Sequence, residues 1–244
     1  MRVQYIHDEQ VHNFVAPREV VPVIMQIVRP TSVLDVGCGT GTWLKVFEEN
    51  GVSDYLGVDG SHLDRTMLRI PQEHFVAHDL QTPLRLSRKF DLVVSLEVAE
   101  HLEERYSDVF VDSLVSHGEI ILFSAAIPYQ GGQNHLNEQW PDYWQKKFES
   151  HGFFFKDCIR PVIWDNQNVN WWYKQNIFLI TKEKPKEDFA GIRSVVHPDL
   201  YTQVITNNVE DRKSLREGRQ GLKISIMILI NTLAYKFREL FRFK

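Results

Sequence analysis

Residues 32–43 read SVLDVGCGTGTW, and this short stretch decides the fold that the sequence predicts. It starts as an apolar run typical of a buried strand and continues into glycines at three alternate positions, Gly37, Gly39 and Gly41. A glycine loop between a strand and a helix offers backbone N–H groups to a ligand, and the missing Cβ atoms allow close approach. The stretch therefore predicts a ligand site at the end of a buried strand.

The spacing of the glycines distinguishes this loop from a dinucleotide-binding fingerprint. That fingerprint is GxGxxG, whereas here the position three residues after Gly39 is Thr42. Asp35, two residues before the first glycine, would also add negative charge beside a pyrophosphate. A carboxylate at this point suits a ligand that carries a cationic amino group and a sulfonium.

Between residues 31 and 183, short apolar runs alternate with longer amphipathic ones. This alternation predicts an α/β fold, and we expect a doubly wound, mainly parallel seven-stranded sheet with a C-terminal helical tail. The expected strands are Ser32–Val36, Tyr55–Asp59, Phe75–His78, Phe90–Leu96, Glu119–Ser124, a segment near Phe154–Ile163, and Gln175–Lys182. The main expected helices are Gly41–Asn50, Ala99–Asp112 and Asn137–Gly152.

The overall composition is that of a globular protein, because 43% of the residues are hydrophobic and 25% are charged. The two cysteines, Cys38 and Cys158, form neither a disulfide framework nor a CxxC metal pair. The N-terminal residues lack the pattern of a secretory signal, and no apolar run approaches the ~18–20 residues of a membrane span. We therefore expect a cytoplasmic protein, with peripheral attachment to the inner membrane face as the alternative.

Charge is distributed unevenly along the chain. Residues 212–244 carry nine Lys or Arg and two Glu, a net charge of +7. The other residues carry 19 Lys or Arg and 30 Asp or Glu, a net charge of −11. An acidic body lacks the basic surface that a large RNA needs, so a nucleic-acid partner is not expected.

We divide the chain into three parts: a ligand-binding domain at 1–183, a linker and capping segment at 184–211, and a basic amphipathic helix at 212–244. Within the tail, residues 221–244 place apolar side chains on one helical stripe, and the charge-free part at 224–235 is too short to cross a bilayer. The tail is expected to lie on an anionic membrane surface, or to pack on the body or on another subunit. The stripe consists of Leu222, Ile226, Leu229, Leu233, Phe237 and Leu240.

The motifs together resemble those of the class I S-adenosylmethionine (AdoMet) methyltransferases. Val33–Gly41 matches the family pattern hydrophobic–hydrophobic–Asp–x–Gly–x–Gly–x–Gly, and three further segments follow in the family's order. These are YLGVDGS, which ends the second strand at Asp59, FVAHDL, which contains Asp79, and KFDLVVSLEVAEHL along the fourth strand. The resemblance covers roughly residues 20–183 and implies that the domain at 1–183 is a methyltransferase with AdoMet as its cofactor.

The resemblance also implies which residues hold the cofactor. In the family, the carboxylate at the position of Asp59 takes the two ribose hydroxyls, Asp79 contacts the adenine amino group, and Leu80 lies beside the ring. The fourth-strand motif faces the sulfonium and the methyl acceptor. The expected cofactor-binding residues are Asp35, Gly37, Cys38, Gly39, Asp59, Asp79, Leu80 and Ser95.

Two segments offer groups that can activate a methyl acceptor. In LEVAEHLEE, the residues Glu97, Glu100 and His101 are spaced i, i+3, i+4, which predicts that they share one face of a helix. The loop AAIPYQGGQNHLNEQW, residues 125–140, carries His135 and two adjacent glycines. We call it the lid loop, because the family places it over the acceptor pocket and we expect it to move.

Three interpretations of these residues remain open. In the first, His101 or His135 is the general base and Glu97 or Glu100 orients it, so that His135, His101 and Glu97 are the catalytic candidates. In the second, all four hold a divalent metal, similar to Hen1-type small-RNA 3′-terminal 2′-O-methyltransferases. In the third, they pack and cap the start of a helix, since Glu-x-x-Glu-His recurs in metal-free ubiquinone-pathway O-methyltransferases.

The C-terminal half of the domain is rich in aromatic residues. Aromatic faces suit the C–H faces of sugars or stacked bases, and burial in the core is the alternative. The segments GGQNHLNEQWPDYW and NVNWWYKQN are similar to bacterial methyltransferases associated with surface-polysaccharide and glycan genes. We therefore expect O-methylation of a saccharide or small-molecule hydroxyl. The alternatives are a metal-dependent RNA 2′-O-methyltransferase and a non-catalytic AdoMet-binding subunit anchored by its C-terminal helix.

Overall fold

A computed structural model of the chain describes residues 13–184, 194–219 and 221–241. The chain forms two compact units, of which the first ends at His197 and the second begins at Pro198. The predicted boundaries at 183/184 and 211/212 remain predictions. A helix covers Pro198–Arg216, across the second of them.

The first unit is built on one seven-stranded sheet, as predicted. In spatial order the strands run β3-β2-β1-β4-β5-β7-β6. Neighbouring strands are parallel from β3 to β5, whereas β7 is antiparallel to both β5 and β6. In chain order the strands are β1 (Ser32–Val36), β2 (Asp54–Asp59), β3 (Phe75–Ala77), β4 (Leu92–Leu96), β5 (Ile120–Ser124), β6 (Phe154–Lys156) and β7 (Phe178–Thr181).

Helices cover both faces of this sheet and bury two apolar clusters, one on each side. Strand β1 shows why: Val33 belongs to one cluster and Leu34 to the other, because successive side chains point to opposite faces. The order reverses between β1 and β4, and in such sheets ligands bind at the carboxyl ends of the strands at that point. The helices are α1 (Val15–Ile27), α2 (Thr42–Glu49), α3 (Ser107–His117), α4 (Pro141–Glu149), α5 (Arg160–Ile163) and α6 (Trp171–Asn176).

The predicted helix over Ala99–Asp112 is wrong in its first half. The chain instead forms two short 3-10 turns, Ala99–His101 and Glu104–Tyr106, before α3 begins. The carbonyl of Glu100, which an α-helix would pair with the fourth N–H after it, accepts hydrogen bonds from the N–H groups of Leu136 and Asn137 at 2.7 and 3.0 Å. The lid loop therefore replaces the helical hydrogen bond, and helix-forming residues do not form a helix there.

The predicted strand near Phe154–Ile163 is also too long. Strand β6 ends at Lys156, and α5 follows with Pro161 near its start, where the missing N–H of proline costs nothing. The buried Arg160 pairs with Asp157 and donates to the carbonyl of Gln175 at 2.9 Å. This anchored guanidinium fixes the bend that ends the strand.

The second unit contains two helices, α7 (Pro198–Arg216) and α8 (Leu222–Phe241). Among the described residues, no helix is both long enough and apolar enough to cross a membrane. Five members of the predicted apolar stripe are exposed, and the side chain of the sixth, Leu240, lies outside the described side chains. The exposed members are Leu222, Ile226, Leu229, Leu233 and Phe237.

Candidate active site

The glycine loop after β1 has a backbone that only glycine adopts easily. Gly37, Gly39 and Gly41 have φ angles of 85°, 50° and 81°. A Cβ on Gly37 would lie 2.4 Å from Val98 Cγ2, and one on Gly41 would lie 2.9 Å from Ile70 Cγ1. At Gly37 and Gly41, both the backbone conformation and the lack of space therefore exclude a side chain. The main chain of the loop is thus uncovered at the carboxyl edge of the sheet.

Asp59, at the end of β2, fixes the glycine loop. Its Oδ2 accepts a hydrogen bond from the N–H of Gly39 at 2.7 Å, and its Oδ1 accepts one from the N–H of Gly60 at 2.6 Å. The N–H groups of Gly37 and Cys38 both donate to the carbonyl of Val58. The predicted cofactor residues at the ends of β1 and β2 therefore form one connected structure.

Three buried polar atoms near the ends of β1 and β4 have no hydrogen-bond partner among the described residues. They are Asp35 Oδ2, Thr40 Oγ1 and Ser95 Oγ. Buried polar atoms are seldom left unpaired, so this edge fits a polar ligand. Sequence reasoning named Asp35 and Ser95 and missed Thr40, although its position between two glycines was a signal.

Burial controls the two ionisable groups of this edge. It raises the pKa of Asp35 well above its ordinary value, and the neighbouring charge of Asp59 raises it further. Burial, with Asp35 and Asp59 nearby, also raises the pKa of the Cys38 thiol, which therefore stays neutral. A cationic group placed beside Asp35 would favour its charged form.

Asp79 and Leu80 follow β3 in a tight turn. Asp79 is exposed, and its Oδ1 accepts a hydrogen bond from the N–H of Gln81 at 3.0 Å. Leu80 is partly buried against the second apolar cluster. The N–H of His78 donates to the carbonyl of Asp59 at 2.8 Å, so this turn lies next to the end of β2.

Glu97, just after β4, has an unusual backbone and a side chain that accepts two hydrogen bonds. Its φ of 55° is rare outside glycine, and strain of this kind occurs at functional sites. Its N–H donates to both the carbonyl and the hydroxyl of Ser124, at 3.1 and 3.0 Å. Its carboxylate accepts hydrogen bonds from the Gln130 amide at 2.7 Å and the Asn176 amide at 3.1 Å.

These amide contacts were not predicted from the sequence. Burial raises the pKa of Glu97, while the hydrogen bonds from Asn176 and Gln130 act in the opposite direction. The Asn176 amide also donates to Gln130 Oε1 at 2.8 Å, which closes the group of three. Glu97 is therefore held between the lid loop and α6, and not on one helical face with Glu100 and His101 as predicted.

Beyond the end of β4, Glu100 and His101 form a cluster with His135 of the lid loop. One possible ligand atom from each residue lies within 4.8 Å of the others, a distance that suits a shared metal ion. The two imidazole rings meet edge to face, with centroids 4.9 Å apart. Three of the four predicted metal candidates are thus brought together, and Glu97 is not among them.

Glu100 is fully buried, and neither of its carboxylate oxygens has a hydrogen-bond partner among the described residues. Burial raises its pKa well above the ordinary value, and the charge of Glu97 raises it further. The N–H groups of Glu100 and Ala126 lower this pKa in part, but no side chain pairs with the carboxyl among the described residues. A buried carboxyl of this kind beside two imidazoles fits a ligand or cation.

His135 has a different hydrogen-bond partner from the glutamates that we expected to orient it. Its Nδ1 lies 2.9 Å from Glu138 Oε1. The same carboxylate accepts hydrogen bonds from the N–H groups of Tyr129 and Gly131, at 2.7 and 2.9 Å. Glu138 was missed because an acidic residue three positions after a histidine in a loop carries no distinctive pattern.

The tryptophans divide between core and surface. Trp144 is buried and packs against Phe123, so it belongs to the core. Trp140 is more than one third exposed, as are Tyr129 and Leu136 on the lid loop. Exposed aromatic and apolar groups therefore lie on the loop that carries His135.

Comparisons with known proteins show the family and the fold of the chain. The profile of a family described as "methyltransferase domain" matches residues 8–158. No curated protein sequence matches the chain.

Solved structures share the fold at low sequence identity. CalS10 from Micromonospora echinaspora, an amino pentose methyltransferase solved with SAM, is 14% identical with a TM-score of 0.52, over 75% of this chain and 100% of that chain. Magnesium protoporphyrin IX methyltransferase from Synechocystis PCC 6803, with bound SAH, is 15% identical with a TM-score of 0.51, over 74% and 90%. The methyltransferase domain of bacterial CtHen1 is 18% identical with a TM-score of 0.51, over 69% and 100%.

Proposed function

The chain belongs to the class I AdoMet-dependent methyltransferases, and from that premise we propose that it methylates a hydroxyl group of a saccharide or small molecule. The observation that carries the proposal is the cluster that Glu100 and His101 form with His135 of the lid loop. The cluster supplies imidazole bases on the side of the sheet where the family places the methyl acceptor.

The cofactor edge supports the binding of AdoMet through its own residues. We assign the ribose hydroxyls to Asp59, the adenine amino group to Asp79, and the cationic amino acid end to the side of Asp35. The hydroxyls of Thr40 and Ser95 offer further polar contacts. Gly37, Gly39 and Cys38 supply the backbone, and Leu80 packs beside the adenine ring.

Bound AdoMet supplies a methyl carbon, which bonds to the acceptor oxygen as its bond to the sulfonium breaks and those electrons return to sulfur. In this proposal His135 removes the hydroxyl proton through Nε2, because its Nδ1 is engaged by Glu138. His101 contacts the acceptor beside it, and Glu97 accepts a second acceptor hydroxyl. Holding the oxygen in line with the methyl group provides much of the rate increase.

The preference for a neutral acceptor follows from charge. Three carboxyl groups, those of Glu97, Glu100 and Glu138, lie close to the two imidazoles. Burial raises the pKa of Glu97 and Glu100, which shows that the site disfavours negative charge, so a phosphorylated or carboxylated acceptor does not suit it. The exposed Tyr129 and Trp140 offer flat apolar faces of the kind that pack against the C–H faces of a sugar.

The direct test is transfer of labelled methyl from AdoMet into extract from a host that lacks the gene, followed by fractionation into glycan, small molecules, lipid, RNA and protein. We expect label in the glycan or small-molecule fraction. Label in protein alone would contradict the proposal, as would AdoMet binding without any transfer, which is the behaviour of a non-catalytic subunit.

A second candidate is metal-dependent 2′-O-methylation of RNA, and the specific observation in its favour is the cluster of three possible ligands. Glu100, His101 and His135 could hold a divalent ion that polarises a ribose hydroxyl. This candidate predicts label in RNA, loss of transfer on chelation, and weaker substrate binding in salt. The net charge of −11 outside residues 212–244 argues against it.

We further propose that residues 221–244 form a contact segment for an anionic membrane surface or for a second copy of the chain. Exposed apolar side chains on α8 and the net charge of +7 over residues 212–244 support this. Sedimentation with and without anionic lipid vesicles distinguishes membrane binding from self-association. A protein that stays monomeric and does not sediment with the vesicles would contradict both.

A further inference from the structure

We propose that Glu138 is a positioning residue for His135, which fixes the imidazole so that Nε2 is the basic atom that faces the acceptor. The catalytic meaning of this assignment rests on the proposed function, whereas the orientation itself does not. The hydrogen bonds around one carboxylate, the packing of the imidazole against Gly132 and the anchoring of the lid loop carry the inference.

The hydrogen bonds define which nitrogen of His135 carries the proton. Glu138 accepts two backbone N–H groups, from Tyr129 and Gly131, and therefore acts as an acceptor carboxylate. A carboxylate that accepts from a neutral imidazole requires the proton on Nδ1. The lone pair then lies on Nε2.

Nε2 of His135 lies against the main chain of the lid loop at Gly132. A Cβ built on Gly132 would lie only 2.2 Å from this nitrogen. The ring also meets His101 edge to face at 4.9 Å, on the side of the cluster with Glu100. The imidazole can therefore occupy this position only because residue 132 has no side chain.

Glu138 can orient a base only if it is itself fixed, and main-chain bonds on both sides provide this. The N–H of Asn137 donates to the carbonyl of Glu100 at 3.0 Å, and the N–H of Gln139 donates to the carbonyl of Ala126 at 3.1 Å. The side chain of Glu138 is 21% exposed and that of His135 is 11% exposed. A carboxylate whose main chain is fixed by hydrogen bonds, in a mostly buried site, is well suited to hold an imidazole in one orientation.

Tautomer measurement tests the orientation without any acceptor. Protein with ¹⁵N-labelled histidine is studied by NMR above the pH at which its imidazoles are charged, and the signal of His135 is assigned by its loss in His135→Gln. We expect the Nδ1–H form in the parent and a shift toward the Nε2–H form in Glu138→Gln. Glu149→Gln, which changes an exposed glutamate on α4, serves as the matched control and should leave the signal unchanged.

The outcome that overturns the proposal is an Nε2–H tautomer in the parent, or a His135 signal that Glu138→Gln leaves unchanged. Thermal unfolding and AdoMet calorimetry on the same variants show whether the fold and the cofactor site are intact. If Glu138→Gln does not fold, the parent tautomer alone decides.

A transfer assay then separates this proposal from the proposed function. Glu138→Gln should slow label transfer into the extract about tenfold or more, a usual cost of losing a partner that orients a histidine. If no variant and no parent protein transfers label, the proposed function fails while the tautomer result stands. If the tautomer shifts and transfer is unaffected, Glu138 does not position a catalytic base and the proposal is wrong.

Discussion

The side-chain amide of Asn176 donates a hydrogen bond to Glu97 Oε1 at 3.1 Å, across 79 positions of sequence. The same amide reaches Gln130 on the lid loop at 2.8 Å, so one residue of α6 joins the end of β4 to the lid. The side-chain amide of Gln175 donates to Asn176 Oδ1 at 3.0 Å, and its oxygen accepts a hydrogen bond from the N–H of His197 at 2.8 Å. The acceptor side is thus braced from the far end of the first unit.

Asn176→Ala should weaken both stability and transfer. It removes the donor to a buried carboxylate, so we expect the free energy of unfolding to fall by about 1–3 kcal/mol. Transfer should fall while AdoMet affinity stays close to the parent value. Urea unfolding, calorimetry and the label assay measure the three quantities. Asn168→Ala, at an exposed asparagine that donates to Glu19, should change none of them appreciably.

Asp59→Ala should weaken AdoMet binding at least tenfold. The substitution removes the proposed ribose contact and also the acceptor for the N–H groups of Gly39 and Gly60. Isothermal calorimetry provides the test, with Asp64→Ala as the control because that aspartate only caps the turn at Thr66. Equal affinity for parent and Asp59→Ala would count against the whole cofactor assignment.

His135→Ala should abolish most transfer and leave AdoMet affinity intact. The imidazole belongs to the acceptor cluster and has no hydrogen bond to the glycine loop among the described contacts. Loss of a general base costs about 10²–10⁴-fold in rate. A parallel loss of AdoMet affinity in calorimetry would make His135 a structural residue.

Asp35→Asn should change how stability depends on pH. The pKa of Asp35 is raised in the folded protein, so the folded state holds this proton more tightly than the unfolded state. Stability therefore falls as pH rises from the ordinary value of an aspartate toward the raised one. The asparagine variant, which does not titrate, should lose less stability over that range while binding AdoMet more weakly.

Urea unfolding of parent and Asp35→Asn at several pH values measures this difference without cofactor. If the free energies of unfolding of the two proteins changed with pH in parallel, the pKa of Asp35 would not be raised in the folded protein, and the prediction would be wrong.

Gly132→Ala and Gly131→Ala form a matched pair in the lid loop. Both glycines have positive φ, so each substitution should cost about 1 kcal/mol of stability. Only the methyl group at position 132 would collide with His135, because a Cβ on Gly131 meets no atom within 4 Å. We therefore expect methyl transfer to fall much further in Gly132→Ala than in Gly131→Ala. Equal losses of transfer in the two variants would contradict this prediction.

The structure around the glycine loop was largely predictable because its determinants are local. The glycines, Asp35 and Asp59 lie within one strand–loop–helix–strand unit, and their spacing reflects backbone geometry that few other residues allow. Thr40 was missed only because a hydroxyl in a loop has many ordinary uses.

The acceptor side was less predictable because its contacts join distant segments. Glu97 depends on Ser124, Gln130 and Asn176, and nothing near Glu97 in the sequence indicates these partners. The helical spacing of Glu97, Glu100 and His101 was misleading for the same reason. A carbonyl that local propensity would pair within a helix is taken by the lid loop.

The position of β7 between β5 and β6 has a consequence for how the protein is made. Within the described part of the chain, strand β6 pairs with β7 alone, so during synthesis it emerges from the ribosome before this partner strand. A nascent chain ending near residue 158 already contains the glycine loop, His101 and His135, but lacks Asn176. We therefore expect the contacts of Asn176 with Glu97 and Gln130 to form late in folding, after β7 inserts between β5 and β6.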